Sequence, residues 1–145
     1  MKVGDIVQSK GQKVITISPE TSVVAAAEIL HSKRIGILVV CNEALRMQGV
    51  FSERDVVRAV AQAPDGVSTL KVKDFLTRDV VTCTRKEKLQ DVMKTMTDRR
   101  FRHMPVVENG ELKGLISVDD VLKHLLKDAK SHQRALGQLH DLGFF

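Results

Sequence analysis

The sequence predicts an α/β fold: two β-α-β-β-α repeats packed with pseudo-two-fold symmetry into one module. Three observations carry that prediction. The strongest is a duplicated signature, in which Gly49-Val50-Phe51-Ser52-Glu53-Arg54-Asp55 returns as Gly114-Leu115-Ile116-Ser117-Val118-Asp119-Asp120. The apolar pattern repeats with it: Val23, Ala26, Ala27 and Leu30 recur as Leu89, Val92, Met93 and Met96, and Val56, Val57, Val60 and Ala61 as Val121, Leu122, Leu125 and Leu126. Finally, 145 residues that are 43% hydrophobic suit one compact domain or two tightly packed halves.

Each half opens on a short helical leader, residues 3–7 and 72–76, followed by a β-prone run, 14–17 and 80–83. Apolar residues at i, i+3, i+4 and i+7 from Val23 then predict a helix over residues 21–32, punctuated by Pro19 and N-capped by Thr21. Its counterpart covers residues 87–98. Strands are predicted at 35–41 and 47–51 around Asn42-Glu43, and at 103–107 and 112–116 around Glu108-Asn109-Gly110-Glu111, an Asn-Gly hairpin turn. A helix follows each pair, opening at Ser52 and at Ser117. The first hairpin is one residue longer than the second, where loops tolerate a change. These elements give a first repeat over residues 1–62, a linker at 63–70 rich in turn formers, a second repeat at 71–126 and a tail at 127–145. In the tail, Ala135, Leu136, Leu139 and Leu142 fall at roughly helical spacing. That helix either packs on its own chain or docks a second copy or a client protein.

Composition excludes several classes. No apolar stretch reaches the length of a membrane span, and the N-terminus lacks a signal-peptide core, so a soluble cytoplasmic protein is expected. Cys41 and Cys83 are far apart, without a Cys-x-x-Cys or a ligand-spaced His, which predicts free buried thiols and no metal. The formal charge of +5 suits an anionic partner, but Phe is the sole aromatic type. Base stacking needs more aromatic surface than that, so a phosphate-bearing ligand fits at least as well as nucleic acid.

The two Ser-x-x-Asp signatures are the one polar constellation present twice. One reading is a helix cap, in which the Ser side chain serves the first turn and the acid three residues on completes a capping box. Glu or Gln is the usual partner there, and Asp looks too short. The alternative is that Asp55 and Asp120 accept hydrogen bonds from a vicinal diol such as ribose, with helix N-termini beside them suited to phosphate. Gly49 and Gly114 serve either a bend or a close backbone approach. In the run Arg99-Arg100-Phe101-Arg102-His103-Met104-Pro105, the first two arginines read as a solvated helix end, whereas Arg102 and His103, on consecutive strand positions, point to opposite faces. The first half has Gly36 and Ile37 in those places. No nucleotide-binding glycine loop, His-Glu-x-x-His pattern or nucleophile with a base is present, so no enzyme activity is expected.

The signatures, together with the strand Arg102-His103-Met104-Pro105-Val106-Val107, resemble a tandem pair of cystathionine-β-synthase (CBS) domains, the Bateman module, over residues 1–126. The small stand-alone bacterial members are the most similar. The resemblance implies a regulatory module binding an adenosyl-containing ligand: AMP, ADP or ATP, alternatively NAD or S-adenosylmethionine, with no obligatory cofactor. It also implies a homodimer formed through the helices and, as an alternative role, docking of a client enzyme. By the same resemblance, Asp55 and Asp120 would hold ribose hydroxyls. Ser52, Arg54 and Ser117 would stand nearby, and Thr16 and Thr82 would line the nucleoside beside Ile15, Ile37, Val81 and Met104. Arg102 and His103 would carry phosphate for the Asp55 cleft, which would make Asp55 the stronger of two unequal sites.

Overall fold

The computed structural model describes residues 1–11, 14–127 and 140–143. It divides into two compact units. One comprises Val14–Val80 with Gly110–Leu112, and the other comprises Met1–Lys13, Val81–Asn109 and Lys113–Phe145. They are called here the Asp55 unit and the Asp120 unit.

In the Asp55 unit, β1 (Thr16–Ile17) runs parallel to β2 (Ile37–Cys41), which pairs antiparallel with β3 (Met47–Ser52). The helix between β1 and β2 is α2 (Val23–Lys33), whose N-cap is Ser22 rather than Thr21: the Ser22 hydroxyl accepts the Ala25 N–H at 3.0 Å. The extra residue of the first hairpin is absorbed by a β-bulge, because Val40 faces Gly49 while Cys41 faces Met47, leaving Gln48 unpaired. Helix α3 (Glu53–Ala61) follows, and a single 3-10 turn at Val72–Asp74 closes the unit. Its core gathers Val23, Ala26 and Leu30 of α2 with Leu38, Val40, Phe51, Ala59 and Val72. Helix α2 thus buries the face its period selects, whereas β2 is buried from Leu38 through Cys41 without alternation, and in α3 Ala59 is buried while the expected Val57 and Val60 are exposed.

The Asp120 unit holds α4 (Leu89–Arg99), the hairpin strand β4 (His103–Glu108), the second hairpin strand β5 (Glu111–Ser117) from Lys113 onward, α5 (Val118–Lys127) and, from the start of the chain, α1 (Val3–Lys10). Asn109 and Gly110 both take positive φ, 55° and 81°, as a two-residue type I′ loop requires. The β-prone run at 80–83 forms no strand. It touches β4 through one parallel bridge, Cys83 with Val106, made by Cys83 N–H to Pro105 O at 3.0 Å and Val107 N–H to Cys83 O at 2.8 Å. The core joins Val3, Ile6 and Val7 of α1 to Leu89, Met93 and Met96 of α4 and to Met104, Ile116 and Val121, with Leu142 packed against it.

The two leaders do not serve the repeats they precede. Val3 and Gly4 donate to the carbonyls of Glu87 and Arg85, both at 2.9 Å, and Val72 and Lys73 donate to those of Thr21 and Pro19 at 2.9 and 3.0 Å. Helix α1 thus docks ahead of α4, and the 3-10 turn docks ahead of α2. The predicted tail helix lies largely outside the described residues, as do Ala135, Leu136 and Leu139.

Candidate functional site

Both Ser-x-x-Asp signatures are reciprocal capping boxes. Ser52 N–H donates to Asp55 Oδ2 at 2.9 Å while Asp55 N–H donates to Ser52 Oγ at 3.3 Å; for Ser117 and Asp120 the same bonds measure 2.9 and 3.1 Å. Aspartate does reach back. The expectation that it is too short fails because the box needs one carboxylate oxygen at the backbone of the cap, and an extended Ser brings that backbone to it.

The two carboxylates differ in what else they hold. Asp55 is nearly enclosed, its side chain 7% exposed: Oδ2 also accepts the Ser52 hydroxyl at 3.1 Å, and Oδ1 takes Arg58 at 3.1 Å and the Thr77 hydroxyl at 3.3 Å. Arg58 is pinned further by the Phe75 carbonyl. Thr77 arrives through a close approach at Gly49. A Cβ on Gly49 would lie 2.3 Å from the Thr77 carbonyl, and Thr77 and Val50 exchange both backbone bonds, at 2.9 and 2.8 Å. Gly114 plays the matching part more loosely, with Val7 Cγ2 at 3.1 Å from its Cβ position.

Asp120 is more open, at 22% side-chain exposure. Its Oδ2 takes Ser117 N–H and the Lys10 ammonium at 2.8 Å, and Lys10 also donates to Leu115 O at 3.1 Å. Among the described residues no hydrogen bond is made to Asp120 Oδ1. Burial raises the Asp120 pKa, but the Lys10 ion pair and the Ser117 bonds outweigh it and leave the carboxyl below its ordinary value. Sequence comparison missed Lys10, Arg58 and Thr77. Arg58 was readable as an i+3 partner of Asp55, whereas no sequence signal links Lys10 to Asp120.

Of the other expected residues, Thr16 is exposed on β1 opposite Val39, and Ile37 faces Ser52 at the end of β2, so both lie in the Asp55 unit. Arg54 is exposed on α3. In the Asp120 unit Thr82 is exposed and Met104 is buried. Arg99 ends α4 and Arg100 is its C-cap in the left-handed region at φ 59°, the helix-end role read from sequence. Strand β4 starts at His103, so Arg102 precedes it; its guanidinium meets Asp119 at 3.4 Å on the surface, and its carbonyl accepts Val118 N–H at 2.9 Å. Burial, then Arg102 and Lys10, push the half-buried His103 below its usual pKa. Cys41 and Cys83 are free and buried. Among the described residues no group of three or more His, Cys, Asp or Glu converges as a metal site, and no helix is long and apolar enough to cross a membrane.

Comparison with known proteins places this geometry in a family. The CBS-domain model matches twice, over residues 3–62 and 72–127. A CBS-domain protein of Agrobacterium tumefaciens, ATU1752, is 40% identical, with a TM-score of 0.75 over 86% of this chain and 98% of that one. The CBS domain NE2398 is 31% identical, with a TM-score of 0.77 over 88% and 98%. The CBS domain pair of MJ0100, crystallised with 5′-methylthioadenosine and S-adenosyl-L-methionine, shares the fold at 24% identity and a TM-score of 0.71 over 86% and 94%. An uncharacterised Methanocaldococcus jannaschii protein, MJ1225, is 31% identical over 90% of this chain, which spans only 46% of it. For another relative, from Thermofilum pendens, the chain spans 33% of the length, at 35% identity over 70% of this chain. Two family matches that together cover most of the chain, each ending on its own capped Ser-x-x-Asp helix, establish that the protein belongs to the CBS domain family and carries two CBS repeats.

Proposed function

We propose that the chain is a non-catalytic regulatory module that senses an adenosyl-containing small molecule, with AMP, ADP or ATP as the expected ligands, and signals by a change of conformation. The observation that carries this reading is Asp120 Oδ1, which accepts no hydrogen bond among the described residues, since a vicinal diol supplies the O–H donors that such a carboxylate accepts. The exposed Thr82 and the partly buried Val81 belong to the same unit, whereas Met104 is buried in its core. Sequence comparison placed the stronger site at Asp55, but both oxygens of Asp55 are already engaged, and a diol there must displace Arg58 or Thr77. We therefore assign first ligand occupancy to Asp120. The complex of MJ0100 with adenosyl compounds supports the ligand class. Isothermal titration with AMP, ADP, ATP, NAD and S-adenosylmethionine tests it: at least one binds, and Asp120→Asn weakens that ligand at least about tenfold, the scale of a lost charged hydrogen bond. Unchanged affinity in that variant overturns the assignment.

For a partner we propose a second copy, meeting through the α2 and α3 face of the Asp55 unit. Val24 and Val60 are exposed there, around an apolar groove of about 330 Å³ lined also by Val23, Ala27 and Val56, and Val57 is exposed on α3. Exposed aliphatic side chains grouped in this way gain by being covered. Light scattering that reads a monomer at micromolar concentration overturns the dimer.

A further inference from the structure

Lys10 is the last residue of α1, and its side chain is 44% exposed. Among the described residues it donates to Asp120 Oδ2 and to the Leu115 carbonyl. We propose that Lys10 is the charge-reading residue of the Asp120 site: it holds the carboxylate when the site is empty and transfers to the ligand's anionic group when that group is a phosphate. The site then prefers phosphorylated adenosyl ligands over uncharged ones. This rests on the reading that Asp120 receives the ribose.

The argument is one of competing partners. An ammonium on a four-carbon stem, half in water, is held by a weak pair and moves at little cost. An uncharged nucleoside can take Oδ1 of Asp120 without displacing Lys10 from Oδ2, and it offers the ammonium nothing. A phosphate monoester, carrying about −1.5 to −2 charge at neutral pH, offers it a stronger partner than the one it leaves. Lys10 therefore assists one ligand class and is neutral to the other, and specificity arises from the difference. The Asp55 unit has no such device. Arg58, one turn along the same helix, is fastened to both Asp55 and the Phe75 carbonyl. Near Asp120, Arg102 is engaged with Asp119, and among the described residues Lys10 is the cation in contact with the carboxylate.

The test is titration of AMP and of adenosine into the full chain, for the wild type, Lys10→Met, Lys10→Arg and Asp120→Asn. Lys10→Met should weaken AMP about tenfold and leave adenosine within about twofold, while Lys10→Arg keeps the wild-type preference. In the wild type, the AMP-to-adenosine affinity ratio should also fall as salt is raised, a readout independent of any variant's folding. A ratio that stays at the wild-type value in Lys10→Met, or that ignores salt, overturns the role of Lys10 while leaving the site intact if Asp120→Asn still weakens both ligands. Ligands that bind Asp120→Asn as tightly as the wild type overturn the site itself.

Discussion

Replacing Gly49 by alanine tests how the 3-10 segment is seated in the Asp55 unit. The new Cβ would lie 2.3 Å from the Thr77 carbonyl oxygen and 2.5 Å from Leu76 Cδ1. Carbon and oxygen settle at about 3.3 Å, so the segment must retreat by about 1 Å. The side chain of Leu76 could rotate, but the Thr77 carbonyl is backbone, fixed by its reciprocal bonds to Val50 at 2.9 and 2.8 Å. Two hydrogen bonds at about 1 kcal/mol each, with about 1 kcal/mol from partial exposure of Leu76, give a loss of roughly 2–4 kcal/mol. The same retreat frees Asp55 from Thr77. Gly114→Ala is the internal control: its Cβ meets a movable methyl, Val7 Cγ2, at 3.1 Å, and should cost under about 1 kcal/mol. In urea, at a slope of about 2 kcal/mol per molar, the Gly49→Ala midpoint should fall by roughly 1–2 M. A Gly49→Ala midpoint within error of the wild type, or a Gly114→Ala loss of equal size, refutes the reasoning.

Two further outcomes follow from the buried titratable groups. His103, depressed by burial and by Arg102 and Lys10 against the opposing pull of Asp120 and Asp119, binds fewer protons folded than unfolded just below its ordinary value of 6.5. Stability should therefore fall as pH drops through that value and level off below the folded pKa, and His103→Gln should flatten this part of a melting-temperature profile. The Cys83 thiol, pushed up to about 12 by burial and then by Glu87, is protonated at neutral pH. A thiol reagent should label it only as fast as the unit opens, and labelling as rapid as in urea-unfolded chain would contradict the burial.

The elements were legible because each has a local cause. Valines and alanines at helical spacing marked α2, Asn109-Gly110 fixed the second hairpin, and the one-residue excess of the first hairpin became the bulge at Gln48. The β-prone run at 80–83 forms no strand, because β-propensity requires a partner along its whole length and this run finds one only at Cys83. The candidate site was half legible. Ser52, Asp55, Ser117 and Asp120 stood out by repetition, yet repetition could not say whether aspartate closes the caps, nor which neighbours the carboxylates hold.

The sequence by itself determined the duplicated β-α-β-β-α unit and the positions of its two Ser-x-x-Asp helices, since periodicity, turn residues and repetition are local properties of the chain. Only the tertiary structure decided that each leader serves the other repeat. Docking depends on which buried face Val3 or Val72 finds, and nothing in the neighbouring residues encodes that. The same docking brings Thr77 to Asp55 and Lys10 to Asp120, contacts between residues far apart along the chain. The two Ser-x-x-Asp signatures thereby became one carboxylate with both oxygens engaged and one whose Oδ1 accepts no hydrogen bond among the described residues.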